Sequence, residues 1–578
     1  MLTRLRIRNF KQFDEVDLEL GQAVVLIGPN NSGKTTALQA LALWELGMRR
    51  WVEKRGERPT ATQRTGVTIN RRDLVALPLP STQLMWRGLS VRETHRSEGQ
   101  QRTENIRVEV AVEGVTGGVR WDCGLEFDYA NPESIYCRPL GAARAAAASA
   151  EPFPTAARDV RVAYLPPMSG LVAAEVRLDP GAIQVRLGEG RTAEVLRNLC
   201  HMLHRDNAPR WTDLTKKMGA LFGIDLLPAE YIPERGELTM AYVDRRRNVK
   251  LDISASGRGL QQTLLLLAFL YSQPGSVLLL DEPDAHLEIL RQRQIYQTLT
   301  TVAESMGSQV IAASHSEVIL NEAADRDVVV AFVGKPHRID DRGPQVLKSL
   351  KSIGFEHYYK AESTGWVLYL EGATDLAVLQ AFAATLGHEA AHVLQAPFVH
   401  YIANQPRLAQ EHFYGVREAK PDLVGLVILD RAERDPPTDQ NLPIRTWGRR
   451  EIENYLCFPE VLETYAGSLE PMDAPGPLFA QAHSSRLRAL IAAAARDRIP
   501  PAALTDRTDR WWSNVKASDD FLDPVFTDFF ERAALPHLMR KTDYHRLASL
   551  VPVEMIHPDV AAMLDAVVEV AATARPRG

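Results

Sequence analysis

The feature that most constrains this sequence is a glycine-rich motif near its N-terminus. Residues 28–35 fit the pattern G-x-x-x-x-G-K-[ST] at every fixed position. A short apolar run at 23–27 precedes the motif, and a stretch of helix-forming composition at 36–41 follows it. This strand–loop–helix context is the one that phosphate binding requires, so the motif predicts a nucleotide site rather than a chance glycine-rich turn.

Each residue type in this loop has a chemical role in binding phosphate. Glycines let the backbone curl so that successive N–H groups point inward, and the N-terminus of the following helix adds positive potential. We expect Lys34 to reach the terminal phosphates and Thr35 to hold Mg²⁺. The expected nucleotide-binding residues are Gly28, Asn30, Asn31, Ser32, Gly33, Lys34, Thr35 and Thr36.

Length and composition indicate a multidomain globular protein. A chain of 578 residues is too long for one core and suggests roughly three to four modules. No run approaches the roughly 18 apolar residues of a membrane span. Residues 1–9 alternate apolar and basic side chains like a strand and lack the apolar core of a secretion signal, so we expect a cytoplasmic protein without membrane contact.

Charge and cysteine content narrow the class further. A net charge of −6 argues against indiscriminate coating of nucleic acid, although it leaves a local basic groove open. Residues 49–72 carry eight Lys or Arg against two Glu, which indicates either phosphate contacts or, more simply, a solvated loop. The four cysteines are scattered without metal-ligand spacing and are expected to be reduced core thiols; they are Cys123, Cys137, Cys200 and Cys457.

Several strands are predicted around these features. Residues 16–20 form a second alternating strand, and 107–112 and 119–127 flank Gly117-Gly118 as a hairpin. Residues 142–150 are alanine-rich and form either a short helix or a flexible joint. Residues 189–222 have helical spacing that Pro209 interrupts.

Three further motifs follow in the first half of the chain. Residues 253–262 combine serine and glycines and lead into an apolar helix, which a capped helix start alone would also explain. A buried strand at 277–280 ends in Asp281 and Glu282, and another at 310–313 leads to His315. Because carboxylates at the C-terminal ends of parallel strands lie at the phosphate crevice, we expect Asp281 to orient Mg²⁺ and Glu282 to activate water.

The order of these motifs resembles the ABC-class ATPase heads of SMC-like and OLD-family proteins. The resemblance implies that Ser256, Gly257 and Gly259 close over the γ-phosphate held by an opposite subunit, and that His315 senses that phosphate. It therefore implies ATP and Mg²⁺ as cofactors, and a homodimer or a higher even oligomer formed through the heads. The segment 285–288 is the loop that crosses the dimer interface in related heads.

The chain departs from that pattern at two places. Related heads carry a glutamine after the strand at 160–165, whereas here Ser169 or a water must substitute, or the signalling between lobes differs. The interval after residue 36 contains no sustained heptads, which removes the long coiled-coil arm of SMC proteins.

The ATPase pattern stops near residues 350–362, and a second α/β domain starts near residue 363. The strand 366–370 ends at Glu371 and is followed by Asp375 and a helix, and the strand 423–429 ends at Asp430. Strand-end carboxylates at one edge of a parallel sheet can hold one or two Mg²⁺ ions, polarise a phosphodiester and activate water. This arrangement resembles the TOPRIM fold of topoisomerases, primases and OLD-family nucleases. Residues 449–456 resemble the I-E-N-Y-L element of TOPRIM-like domains in bacterial defence ATPases.

The resemblance implies a metal site for Mg²⁺, with Mn²⁺ as an alternative. Its expected ligands are Glu371, Asp375, Asp430, Glu433, Glu451 and Glu453. The family has a second aspartate where this chain has Ala432, so either Glu433 or Asp435 compensates or the site is degenerate. Lys541 is expected either to contact the scissile phosphate or to be an ordinary exposed lysine; Trp511-Trp512 either stack on bases or, more simply, anchor a helix.

The overall expectation is an α/β protein with two domains. Residues 1–355 form an ABC-class ATPase head with an antiparallel β lobe, an insertion at about 45–105 and a helical lobe at about 189–222; residues 363–578 form a Rossmann-like TOPRIM domain with a helical C-terminal region. We expect an ATP-hydrolysing defence protein whose ATPase domain controls a nuclease domain. The expected substrate of the nuclease is nucleic acid, DNA above all, and a companion defence protein is a possible partner. The alternative is a nucleotide-gated sensor or scaffold that binds a partner without cleaving.

Overall fold

The computed structural model of this chain describes residues 1–55, 66–97, 100–140, 153–172, 174–324, 326–339, 354–431, 439–469 and 477–577. Expectations for 56–65, 142–150, Ala432, Glu433 and Asp435 lie outside these ranges. The chain divides into two compact units, Met1–Leu347 and Lys348–Gly578. No helix in the described ranges is long and apolar enough to cross a membrane.

The N-terminal unit is built from short strands and eight described helices. Its strands are β1 (Leu2–Phe10), β2 (Phe13–Glu19), β3 (Ala23–Ile27), β4 (Val67–Asn70), β5 (Arg92–Ser97), β6 (Gln100–Asn105), β7 (Val108–Thr116), β8 (Val119–Asn131), β9 (Ser134–Pro139), β10 (Val162–Leu165), β11 (Glu175–Val176), β12 (Ile224–Leu226), β13 (Glu230–Ile232), β14 (Glu237–Thr239), β15 (Ala241–Asp244), β16 (Val249–Asp252), β17 (Val277–Asp281), β18 (Gln309–Ser314), β19 (Val328–Ala331) and β20 (His337–Arg338). Its helices are α1 (Lys34–Arg55), α2 (Thr155–Arg158), α3 (Pro180–Gly188), α4 (Leu196–Asp206), α5 (Ala208–Phe222), α6 (Arg258–Ser272), α7 (Ile289–Ser305) and α8 (Glu317–Ala323).

A parallel sheet positions the phosphate-binding loop. Its strand order is β10-β17-β18-β3-β19-β20, and the first five strands run parallel. Every residue of β3, β17 and β18 is buried, because each strand is an apolar run covered on both faces. The C-terminal ends of these three strands therefore meet at one edge of the sheet.

An antiparallel sheet of order β2-β1-β7-β8-β9-β4 covers the other side of α1. The predicted hairpin is confirmed: β7 and β8 pair across Gly117-Gly118, whose φ angles of 56° and 80° suit glycine. Helix α1 packs against both sheets, so its side chains are buried nearly all round, as in Leu38 and Trp44. One core thus joins both sheets through a single helix.

Two boundaries differ from the sequence expectation. Helix α1 continues to Arg55, through the start of the predicted insertion at about residue 45, because its apolar face stays against the antiparallel sheet. The predicted interruption at Pro209 is present, but the break between α4 and α5 falls at Asn207, so Pro209 is the second residue of α5. The Asn207 side chain caps α5 by accepting a hydrogen bond from the Arg210 N–H at 3.2 Å. The prediction of buried, reduced cysteines is confirmed for all four residues.

The C-terminal unit contains a small sheet with helices on both faces. Its strands are β21 (Trp366–Leu370), β22 (Val399–Tyr401), β23 (Val424–Leu429) and β24 (Ile444–Thr446). Its helices are α9 (Phe355–Thr364), α10 (Ala373–Leu386), α11 (Ala390–Val393), α12 (Pro406–Ala419), α13 (Pro459–Gly467), α14 (Pro477–Arg496), α15 (Pro501–Thr505), α16 (Trp511–Asn514), α17 (Asp523–Ala533), α18 (His545–Ala548) and α19 (Pro558–Ala572).

The four strands of this sheet are parallel in the order β22-β21-β23-β24. One face, including Leu368 and Leu370, packs into a large core with α10 and the C-terminal helices. The opposite face, including Val367 and Tyr369, packs against α12. The strand order reverses at β21, so the edge beyond β21 and β23 is a topological switch point, where ligands bind in open α/β sheets.

We predict that Trp44→Ala destabilises the N-terminal unit by about 3–5 kcal/mol. The Trp44 ring is buried and stacks on Trp121 at 6.1 Å, and its Nε1 donates to the Cys123 carbonyl oxygen at 2.8 Å. Denaturant unfolding should show the loss, whereas the control Tyr136→Ala, at a side chain that is 45% exposed, should stay within about 0.5 kcal/mol of wild type. Equal losses in the two variants would contradict a central role for α1.

Candidate functional site

The glycine-rich loop folds tightly between β3 and α1. Gly33 has a φ of 103°, and a Cβ there would lie 2.4 Å from Gln12 Nε2, so only glycine fits this position. Lys34 is buried, and its Nζ donates to the carbonyl oxygens of Gly28 at 2.8 Å and Pro29 at 2.7 Å. The ammonium is thus held inside the loop, where the sequence pattern places the terminal phosphates of a nucleotide.

Burial lowers the pKa of Lys34, while Glu282, Asp281 and Asp284 act in the opposite direction. Since these acids surround the ammonium, the loop carries a positive charge that nearby carboxylates stabilise.

Thr35 ties the loop to the strand-end acids. Its Oγ1 donates to both carboxylate oxygens of Asp281, at 2.9 and 3.1 Å. Tyr164, on the neighbouring strand β10, donates its hydroxyl to Asp281 Oδ2 at 3.2 Å. Burial raises the pKa of Asp281, and the two hydroxyls offset this effect. Hydroxyl and carboxylate oxygens are the ligands Mg²⁺ prefers, so this pair fits the ion that the sequence implied.

Glu282 and His315 follow adjacent strands at the same edge. The Glu282 backbone is left-handed, with a φ of 50°, and its N–H donates to the Ala313 carbonyl oxygen at 2.9 Å. A left-handed non-glycine residue is uncommon and turns the chain sharply out of β17. His315 follows β18 and is exposed.

Asp284 is a site residue that the sequence reading did not single out. Its side chain is 3% exposed, bonds to the Ser314 hydroxyl, and acts electrostatically on Lys34 and with His315. Burial raises its pKa. The sequence contained a signal that could have identified Asp284, because this acid lies two residues beyond Glu282 in the strand-end motif.

The serine–glycine segment forms the start of α6. Ser256 Oγ donates to the Ile253 carbonyl oxygen at 2.7 Å, and Gln261 Nε2 donates to the Ser256 carbonyl oxygen at 3.0 Å. Gly257 is exposed and caps the helix, and a Cβ at Gly259 would contact the His286 carbonyl oxygen at 3.5 Å. The segment is thus held by local hydrogen bonds, is exposed at Gly257 and lies beside His286 and Leu287.

Ser169, the side chain considered as a substitute for the missing glutamine, lies away from the strand-end acids, whereas Tyr164 contacts one of them. Ser169 hydrogen-bonds to Thr192, with its N–H donating to Thr192 Oγ1 at 3.0 Å, so its hydroxyl serves the loop packing. Tyr164, five residues earlier, donates directly to Asp281, the acid expected to orient Mg²⁺. The sequence did not single out Tyr164, because it gave no view of which residue faces β17.

The carboxylates of the C-terminal unit gather at the switch point. Glu371 follows β21 and Asp430 follows the adjacent β23, as predicted. The Asp430 N–H donates to Asn404 Oδ1 at 3.2 Å, and Ala403 N donates to the Glu371 carbonyl oxygen at 3.2 Å. Both loop residues have left-handed φ angles, 57° and 46°, so this loop after β22 holds the two acids by strained backbone; sequence reasoning missed it.

The pKa values of three of these acids are raised, by burial first and by neighbouring carboxylates second. Burial, and then the nearby Glu371, raise the pKa of Asp430 well above its usual range. Burial and Glu451 raise the pKa of Glu453 to about 8. Burial also raises the pKa of Asp375 to about 6, against the Gly372 N–H that donates to its carboxylate at 2.9 Å. Such mutual repulsion is what a divalent cation offsets, so the donor set fits Mg²⁺ or Mn²⁺.

Within the described ranges, no three of these carboxylates bring one oxygen each within 4.8 Å of one another. Glu451 accepts a hydrogen bond from the Ser518 N–H, and Asp375 caps α10, so both have structural partners. Lys541 is exposed and pairs with Asp519. The Glu371–Asp430 pair is therefore the best-formed part of the predicted metal site.

The I-E-N-Y-L element is a buried structural joint. Asn454 Nδ2 donates to the carbonyl oxygens of Trp512 and Val515, both at 3.0 Å, and Asn454 Oδ1 accepts from the Glu451 N–H at 2.9 Å. Trp512 is buried, and its Nε1 donates to the Ala503 carbonyl oxygen at 3.0 Å. Trp512 thus anchors a helix to the core, which agrees with the simpler of the two roles expected for Trp511-Trp512.

Comparison with known proteins identifies the class of the N-terminal unit. Residues 178–321 match the family described as "AAA domain, putative AbiEii toxin, Type IV TA system", and residues 1–44 match the family described as "AAA ATPase domain". The two matched ranges contain the glycine-rich loop, the serine–glycine segment, the strand-end acids and His315. The chain therefore contains a P-loop ATPase of the AAA class, with ATP as its nucleotide.

One relative is a nuclease. A segment of 43 residues is 46% identical to the OLD nuclease of Thermus scotoductus, covering 7% of this chain and 8% of that protein.

Three solved SMC heads are 13% identical to the chain and each covers 58% of it. The SMC head bound to the C-terminal winged-helix domain of ScpA has a TM-score of 0.34 with 97% of its chain covered, the SMC head of Thermotoga maritima 0.29 with 98%, and the Pyrococcus furiosus SMC head bound to the C-terminal domain of ScpA 0.33 with 96%.

We predict that Tyr164→Phe weakens the apparent Mg²⁺·ATP affinity about 2–10-fold, because Asp281 loses one neutral hydrogen bond that orients it, worth about 0.5–1.5 kcal/mol. Nucleotide binding measured against Mg²⁺ concentration checks this. Tyr296→Phe is the matched control, since it removes a tyrosine–aspartate hydrogen bond of 2.8 Å to Asp327, elsewhere in the same unit. Equal shifts in both variants would contradict a role for Tyr164 at the Mg²⁺ site.

Proposed function

We propose that this protein hydrolyses ATP and uses the nucleotide cycle to control a metal-dependent nuclease in its C-terminal unit. The observation that carries the ATPase half is the contact of Thr35 with Asp281, which places the loop hydroxyl and the strand-end carboxylate together. Nucleic acid, DNA above all, is the proposed substrate of the nuclease half.

The residues of the first site have distinct roles in this proposal. Lys34 neutralises the terminal phosphates, and Thr35 with Asp281 holds Mg²⁺, which would screen the phosphate charge. Glu282 accepts the proton of the attacking water, because the sharp turn after β17 presents its side chain at the same edge. His315 contacts the γ-phosphate from β18.

We further propose that two copies of the chain complete the ATPase sites in trans. Ser256 and Gly257 lie at the surface, where they can cover a nucleotide held by a partner. Ile289 and Leu290, at the start of α7, are 71% and 80% exposed, directly after residues 285–288. Adjacent exposed apolar side chains favour a protein contact, and a second copy presents the matching face.

The nuclease half rests on the carboxylates at the switch point. Glu371 and Asp430 follow adjacent parallel strands. The pKa of Asp430 is raised because its carboxyl group is partly buried and lies near Glu371. Bound Mg²⁺ or Mn²⁺ would offset the repulsion between the two carboxylates. The short match to an OLD nuclease and the element at 449–456 support this proposal and, with it, a role in antiviral defence.

A second candidate function is a nucleotide-gated scaffold that binds a partner or nucleic acid without cutting it. The observation that favours it is that Asp375 and Glu451 already serve structural hydrogen bonds, which leaves fewer acids for metal. Cleavage assays separate the two candidates.

For the ATPase, Lys34→Ala should abolish nucleotide binding, because it removes the buried ammonium of the loop. Glu282→Gln should retain binding but slow hydrolysis about 10²–10⁴-fold, since it removes the proton acceptor. Phosphate release and nucleotide binding measure the two effects, with Glu304→Gln, an exposed acid on α7, as the control.

The proposed sharing of each ATPase site between two copies of the chain can be tested by mixing two inactive variants. Neither Ser256→Arg nor Lys34→Ala protein should turn over alone, whereas their mixture should regain some hydrolysis through one intact composite site. A wild-type rate of ATP hydrolysis in Glu282→Gln would contradict the role of Glu282 as proton acceptor. If light scattering finds only a monomer at all ATP concentrations, the proposed dimer is wrong.

For the nuclease, Glu371→Ala and Asp430→Ala should abolish Mg²⁺- or Mn²⁺-dependent cleavage of plasmid or single-stranded DNA while ATP hydrolysis stays within about twofold of wild type, because the ATPase residues lie in the other unit. Glu389→Ala, an exposed acid of the same unit, should leave cleavage unchanged. If wild type cleaves neither substrate, with or without ATP, the scaffold function replaces the nuclease.

A further inference from the structure

Three histidines meet on the β22–α12 side of the C-terminal unit, apart from the residues of the proposed nuclease site. His357 comes from α9, His400 from β22 and His412 from α12. One ring nitrogen from each lies within 4.8 Å of the other two, which distinguishes this trio among the histidine, cysteine and acidic groups of the described ranges. Segments distant in sequence thus bring three imidazoles to one point.

The contacts within the cluster are short. His357 Nδ1 lies 2.6 Å from His412 Nε2, and the rings of His400 and His412 stack with centroids 3.9 Å apart and planes within 10°. Burial lowers the pKa of His412 to about 3 and also lowers that of His400, and the neighbouring imidazoles add to both effects. These effects disfavour the protonated form of both rings, and the neutral imidazole is the form that coordinates metals.

A buried tyrosine fixes the orientation of His412. Tyr369 on β21 is fully buried, and its hydroxyl lies 2.8 Å from His412 Nδ1. Burial raises the pKa of Tyr369 well above its usual range, so the phenol stays neutral. When Nδ1–H donates to the phenol oxygen, the lone pair of Nε2 points toward His357. A hydrogen bond on the remote nitrogen is the usual support of a metal-binding histidine.

We propose that His357, His400 and His412 bind a divalent transition-metal ion, zinc in particular. Three imidazole nitrogens form a recurring zinc ligand set and are unsuited to Mg²⁺, which prefers oxygen. Ring nitrogens bind metals in the plane of the ring, so His400 must turn out of its stack on His412. His400 is half-buried on β22, an edge strand, whereas Tyr369 holds His412.

The proposed ion would add a covalent-type link between elements that packing and the His357–His412 hydrogen bond already connect. Helix α9 opens the described part of this unit, and α12 packs on the sheet face that carries Tyr369. One ion ligated from α9, β22 and α12 would clamp both helices to the edge of the sheet. Zinc should therefore raise the unfolding temperature of the C-terminal unit, because a ligand that binds only the folded state stabilises it.

The test uses full-length protein freed of metal by a chelator and titrated with Zn²⁺ against a chromophoric competitor, then with Co²⁺. Wild type should bind about one equivalent of Zn²⁺ tightly, and Co²⁺ should give the visible absorption of nitrogen ligation. His400→Gln and His357→Gln, at half-buried positions, should each lose the absorption and the thermal shift. Tyr369→Phe should weaken zinc affinity about 10–100-fold, as loss of such a support does.

Two controls separate this site from other metal binding. His392→Gln, at an exposed histidine on α11, should behave as wild type. The double variant Glu371→Gln/Asp430→Asn should keep the cobalt absorption, which makes failure of the nuclease proposal distinguishable from failure of this one. Absence of stoichiometric zinc in wild type, or zinc binding retained in both His400→Gln and His357→Gln, would overturn the proposal.

Discussion

The N-terminal unit depends on the hydrogen bonds between Thr35 and Asp281. They join the first turn of α1 to the end of β17, two elements about 250 residues apart in the chain. Because α1 also lies between the parallel and antiparallel sheets, the position of the loop is set by the same core that holds both sheets together. The buried charges Lys34 and Asp281 are tolerated there only because each has polar partners.

The C-terminal unit also places charged groups close together, in this case carboxylates. Carboxylates follow the parallel strands β21 and β23, so these adjacent strands bring the exposed Glu371 and the half-buried Asp430 together at one edge. The strained loop at Ala403 and Asn404 holds them there with backbone and amide hydrogen bonds. Crowding of like charges is costly, and the proposed cation would offset it.

The same sheet carries two chemically different proposed sites, one where its strands end and one on a face. Strand β21 ends in Glu371 at the edge, while Tyr369, two residues earlier, faces α12 and contacts His412. Oxygen donors at the edge suit Mg²⁺ or Mn²⁺, and nitrogen donors on the face suit zinc. One short strand therefore supports both proposed centres without a shared ligand.

The sequence alone determined the local features, because they depend on short patterns: the phosphate loop, the buried strands that end in Asp281, Glu371 and Asp430, the Gly117-Gly118 hairpin and the buried cysteines. Tertiary structure decided which side chains meet. Tyr164 rather than Ser169 contacts Asp281, α1 runs on to Arg55, and three separate histidines converge, since each of these depends on packing between segments far apart in the chain. Periodicity reports which face of an element is buried, but it carries no information about which partner covers that face.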